Sequence, residues 1–189
     1  GDVYNESQKT FIQKVRNDHS IDEIKTMVNK LQNLKVLVVG ETIIDQYIFC
    51  EALGKSGKEP VLVLRDLDME QYAGGAAAIA RHLSDFCGNI SLLSMLGEKK
   101  EYENFVLENL PSNIESYFIF KEAAPTIIKK RFVDQISKSK SIGVYSINDS
   151  PMSVENQNQL HSHLSDLIPK YDLVIISDYG HGFISRETA

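Results

Sequence analysis

Tryptophan is absent from this 189-residue chain, and cysteine is nearly so. The 2 cysteines, Cys50 and Cys87, lie in apolar stretches, which excludes a disulfide scaffold and a cysteine-rich zinc site. Reduced thiols in a cytoplasmic protein are the plain reading. No apolar run nears the roughly 20 residues that cross a bilayer, and the polar N-terminus lacks the apolar core of a signal peptide. A basic excess is missing too: 20 Lys+Arg face 26 Asp+Glu, a formal net charge of -6. That balance argues against a general nucleic-acid binder, because phosphate backbones want a basic face. No repeat or low-complexity tract occurs. What remains is ordinary globular composition, 42% hydrophobic and 24% charged, enough for one domain with a short appendage.

Residues 1–19 are polar and poorly patterned, and read as a linker. Ser20 with Glu23 forms a capping box for a helix whose apolar positions are Ile21, Ile24, Met27, Val28 and Leu31. Residues 1–33 are thus a linker and an N-terminal helix. The following Leu34–Gly40 is an apolar run interrupted only by Lys35, which suits a parallel strand buried on both faces. Helices are expected over 75–86, 98–110 and 154–168, and further core strands over 90–96 and 173–177. Strands alternating with helices of this length mean βαβ units, so the core is α/β. Two stretches break the pattern. Residues 47–69 and 117–147 hold five short strands, including Tyr117-Phe118-Ile119-Phe120, that could form a small sheet outside the main one.

Four constellations could carry chemistry. Gly74-Gly75 opens a helix, where free N–H groups and the helix dipole favour a polar or anionic ligand. A tight turn packed on the sheet explains the pair equally well. Asp45 lies just beyond the first strand's C-terminal end, where α/β folds place ligands, though a lone Asp is usually a turn residue. Asp178 and His181 sit among glycines after the last strand; a loop His is more often structural than catalytic. In Lys129-Lys130-Arg131, the first and last share a strand face and could pair with a phosphate, against the ordinary reading of a solvated face. Other signals fail. Gly54-Lys55-Ser56 lacks the first glycine of a P-loop, where Phe49 stands. His161 and His163 diverge on a helix and cannot share a metal. No nucleophile elbow or dinucleotide fingerprint is present.

Taken together, VLVVGETIIDQY, KSGKEPVLVLRDLDMEQYAGGAAAIARHL, APTIIKKRFVD and DLVIISDYGHGFIS resemble the ribokinase-like (PfkB-type) carbohydrate kinases. The branch most resembled includes the heptose 7-phosphate kinase domain of ADP-heptose synthesis. The resemblance spans residues 34–189 in the family's order. It implies a parallel sheet with flanking helices and a small β lid sheet over a sugar site. It also implies transfer of the ATP γ-phosphate, with Mg²⁺, to a hydroxyl of a sugar or sugar phosphate. Asp45 maps onto the family aspartate that binds sugar hydroxyls, Gly74 and Gly75 onto the sugar-lining helix start, and Asp178 onto the aspartate of the acceptor and phosphate region. Lys129 and Arg131 would hold a phosphate already on the sugar.

Two departures stand out. Ala78 replaces the asparagine of the family's Gly-Gly-Ala-Ala-Asn pattern, which puts the usual sugar in doubt, and Glu41 replaces an aspartate. The catalytic aspartate and nucleotide site are expected beyond residue 189, so no catalytic residue or metal ligand is assigned within these residues. The expected entity is the N-terminal, sugar-site and lid part of a kinase domain, inactive alone. The alternative is a non-catalytic ligand-binding or dimerisation module fused to a nucleotidyltransferase. The polar leader fits such an upstream nucleotidyltransferase domain in either case. Apolar lid strands, with the family resemblance, point to a homodimer clasped through the lid.

Overall fold

The computed structural model describes residues 3–186 and Thr188, and one strand sets its plan. Strand β1 (Lys35–Lys55) runs without interruption for 21 residues. Its first part pairs in parallel with β3 (Asn89–Gly97) and β7 (Leu173–Ser177), and β3 pairs in parallel with β4 (Ile114–Lys121). This gives a core sheet of order β4-β3-β1-β7. From Thr42 onward β1 exchanges both neighbours. It pairs antiparallel with β2 (Leu62–Gly75) and in parallel with β5 (Ile127–Asp134), which continues antiparallel to β6 (Lys140–Ser146). The second sheet, of order β2-β1-β5-β6, is the lid.

The apolar run at the start of β1 has no alternation because both its faces are buried. Val36 and Val38 pack with Ile90, Leu92 and the alanines of α3 (Ala76–Leu83). Leu37 and Val39 face the other way, onto Leu93, Ile119, Phe183 and the residues Leu160 and Leu167 of α5 (Val154–Leu167). The small side chains of α3 let it lie close on the sheet, and Ala76, Ala77 and Ala80 are fully buried. A strand buried on both sides must read as a continuous hydrophobic run.

The structure changes four expectations. The stretch Tyr117–Phe120 is not lid: it lies in β4 of the core sheet, with Ile119 buried in one cluster and Phe118 and Phe120 against the other. Residues 47–49 do not form a separate strand but continue β1. Residues Glu6–Asp18 form helix α1 rather than a linker, capped by a reciprocal box between Asn5 and Gln8. None of its residues is buried, so no apolar stripe marked it. It precedes the expected second helix, α2 (Ile21–Leu31). Helix α4 starts at Glu103 rather than 98 and ends at Asn109. The residues before it are held differently, since Glu98 and Glu101 accept from the backbone N–H groups of Ala123 and Thr126 at 3.2 and 3.1 Å. Among the described residues, no helix is long and apolar enough to cross a membrane.

Candidate functional site

The site begins where β1 passes from core to lid. Asp45 stands opposite Tyr72 of β2 and Lys129 of β5, while Tyr47 stands opposite Arg131. Tyr145 of β6 lies opposite Lys129. Residues facing each other across a ladder share a side of the sheet, so Asp45, Tyr47, Tyr72, Lys129, Arg131 and Tyr145 occupy one lid face. On it, Arg131 Nη1 donates to Asp45 Oδ1 at 2.5 Å. The side chains are 18% and 25% exposed, sheltered yet reachable. The guanidinium also lies 5.5 Å from the Tyr47 ring centre and 5.8 Å from that of Tyr145. Its hydrogen bond to Asp45 raises the Arg131 pKa above the usual value, against the pull of partial burial. Lys129 stands beside it, half-buried.

The glycine pair is explained by how closely β2 passes β1. A Cβ on Gly74 would sit 2.4 Å from Asp45 Oδ2, so only glycine lets the carboxylate lie flat against that backbone. Gly75 has φ +61, and a Cβ there would meet the Glu41 carbonyl oxygen at 2.3 Å. The chain turns directly from it into α3, whose N-cap has no side-chain hydrogen bond. Close packing of β2 on β1 thus accounts for both glycines. Ala78, one turn into α3, is half-buried.

Asp178 follows β7 and is exposed; its Oδ1 accepts from Gly180 N–H at 2.8 Å. This is a local turn, and no hydrogen bond joins Asp178 to the Asp45–Arg131 pair among the described residues. What shapes its loop is Glu41, which the sequence marked only as standing where the family has an aspartate. The fully buried Glu41 carboxylate accepts from the N–H groups of Tyr179, His181 and Phe183 at 2.9, 3.1 and 3.4 Å. Lys121, also buried, closes the other side. Its Nζ donates to the carbonyls of Asn148, Ser150 and His181 at 2.5, 2.6 and 3.0 Å. Burial pulls the Lys121 pKa down, while the charges of Asp149 and Glu41 oppose that pull. His181 Nδ1 pairs with Asp149 at 2.7 Å, so His181 braces the two loops together. Glu41 and Lys121 each follow an apolar stretch, in Leu-Val-Val-Gly-Glu and Tyr-Phe-Ile-Phe-Lys. That placement is the signal by which sequence alone could have found them.

A family described as "pfkB family carbohydrate kinase" matches residues 33–187. The bifunctional protein HldE of Haemophilus ducreyi is 31% identical over 158 residues, 82% of this chain and 32% of that protein. HldE of Chromohalobacter salexigens is 26% identical over 163 residues, 86% of this chain and 33% of that protein. The chain thus spans about a third of the length of these curated relatives. Among solved structures, phosphofructokinase-2 from Escherichia coli, in complex with fructose-6-phosphate, aligns with a TM-score of 0.59 at 14% identity. That alignment covers 82% of this chain and 48% of the enzyme, and it concerns the fold alone.

Proposed function

This chain belongs to the pfkB family of carbohydrate kinases, and from that premise we propose that it is the sugar-site and lid part of an ATP-dependent kinase acting on a sugar or sugar phosphate. The observation that carries the reading is the Asp45–Arg131 pair on the lid face, with Gly74 cleared of side chain beside the carboxylate. Asp45 would accept from two sugar hydroxyls, and Gly74 and Gly75 would let β2 pass close enough to β1 to hold that carboxylate in place. Arg131 offers a planar fork suited to a phosphate, and Lys129 a second cation. A substrate that already bears a phosphate therefore fits this face better than a neutral sugar. Asp178 would border the acceptor hydroxyl, held in place by its Glu41-anchored loop.

The family implies ATP and Mg²⁺. Among the described residues no three His, Cys, Asp or Glu side chains are grouped to hold a metal ion. In this reading Asp45, Gly74, Gly75, Lys129 and Arg131 would bind and orient the sugar, and the nucleotide, the metal and the catalytic aspartate would belong to other parts of the kinase domain. Residues 1–33 would join the domain to an upstream nucleotidyltransferase. The buried free thiols of Cys50 and Cys87 suit the cytoplasm. The test is ADP release by a protein carrying the complete kinase domain, given ATP, Mg²⁺ and six- and seven-carbon sugars with and without phosphate. Sugar-dependent turnover, highest with a phosphorylated sugar, is expected. Sugar binding without turnover would favour the non-catalytic module, a reading to which Ala78 lends some weight.

The lid's opposite face bears on assembly. The register puts Met69, Ile142 and Val144 on one side with Ile48 and Phe132, and the first three are about half exposed. A homodimer clasped through this face would cover them. Val144→Glu places a charge on this face, on the edge strand β6, and is expected to turn a dimer into a monomer in sedimentation velocity. A dimer that persists, or a wild-type monomer, defeats the clasp.

A further inference from the structure

Asp45 cannot serve Arg131 and a pair of sugar hydroxyls equally well. Its Oδ1 accepts the 2.5 Å hydrogen bond from Arg131, and its Oδ2 lies against Gly74. The bond to Arg131 joins two full charges, whereas a sugar hydroxyl brings only a neutral donor to the carboxylate. A neutral sugar that claims both carboxylate oxygens takes Asp45 from Arg131 and leaves the guanidinium with no anion in a sheltered place. A phosphorylated sugar brings its own anion. Arg131 can then exchange one oxyanion for another, with Lys129 adding a second positive charge on the same face. The rings of Tyr47 and Tyr145 flank the guanidinium at 5.5 and 5.8 Å.

From this we infer that Arg131 is a specificity-determining residue that acts through Asp45. By occupying the carboxylate it penalises neutral sugars, and it releases the carboxylate to substrates carrying a phosphate. Phosphate recognition and hydroxyl recognition become one coupled event, because specificity is a difference between two affinities. The inference rests on the reading that Asp45 holds sugar hydroxyls.

The test measures binding by calorimetry for fructose, mannose and sedoheptulose, each as free sugar and as terminal phosphate ester. Wild type is compared with Arg131→Met, which keeps the side chain's bulk and removes every donor. The ester that binds wild type best should weaken about 10- to 100-fold in the variant. The matching free sugar should bind about three- to tenfold more tightly, the opposite sign. A second measurement needs no variant: inorganic phosphate should tighten free-sugar binding to wild type, since coupling between two sites is reciprocal. If the ester weakens while the free sugar is unchanged, and phosphate has no effect, Arg131 is a simple phosphate holder and the coupling is overturned. If both forms weaken together, its role is structural and the inference fails. If no sugar or ester binds either protein, the sugar-site reading itself falls and takes the inference with it.

Discussion

Replacing Glu41 by alanine is expected to lower the unfolding free energy by about 3–5 kcal/mol, the usual cost of removing one member of a buried charge arrangement. The carboxylate satisfies three backbone N–H groups of the loop 179–183, and alanine would leave all three without an acceptor. The Lys121 ammonium nearby would lose a compensating charge while still fixed to three carbonyls. Urea unfolding followed by circular dichroism reads the effect as a lower midpoint at an unchanged slope. Lys121→Met should cost a similar amount. The double variant Glu41→Ala/Lys121→Met should cost less than the sum, since each single change strands the other charge. A Glu41→Ala loss below about 1 kcal/mol would mean that water takes over the loop N–H groups and that the carboxylate is no anchor.

Asp45→Ala addresses chemistry rather than folding. In a protein with the complete kinase domain, kcat/KM should fall by about two to four orders of magnitude. Two charge-assisted hydrogen bonds to sugar hydroxyls, each worth roughly 1.5–3 kcal/mol, would be lost together. The thermal midpoint should move little, because the Asp45–Arg131 pair is partly exposed and pairs in such places contribute modestly. The contrast between the two substitutions separates a residue that builds the loop from one that meets the substrate. Unchanged kcat and KM in Asp45→Ala would remove it from the site.

The core was readable because its signals are local. The run Val36–Val39 declares a strand buried on both faces, and the alanines of α3 a helix lying close to a sheet. Tyr117–Phe120 carries the same kind of signal, yet an apolar run reports burial and not which partner buries it. Its assignment to the lid failed for that reason. The continuation of β1 into the lid was equally hidden, since residues 42–50 exchange their neighbours without any break in the chain. At the site, Asp45 and Gly74 were visible as residue types that suit a ligand. Arg131 lies 86 positions from Asp45, and only the β1–β5 register brings them together. Glu41 and Lys121 stand out as charges beside apolar stretches, but no spacing along the chain encodes the distant loop groups they hold. Helix α1 was missed because it depends on capping and side-chain contacts within the helix, without a buried face.

The single strand shared by core and lid has a mechanical consequence. A flap hung on two loops swings like a door, with its motion confined to the hinges. This lid is instead a cantilever: its central beam is the far half of the strand at the heart of the core. Bending it must load the root, and the root is the segment 40–43, where β3 and β7 give way to β2 and β5. Glu41 is embedded at that root, gripping the loop that carries Asp178. A force applied at the far end of the lid is thereby delivered to that loop, along a path stiffened by ladder hydrogen bonds on both sides.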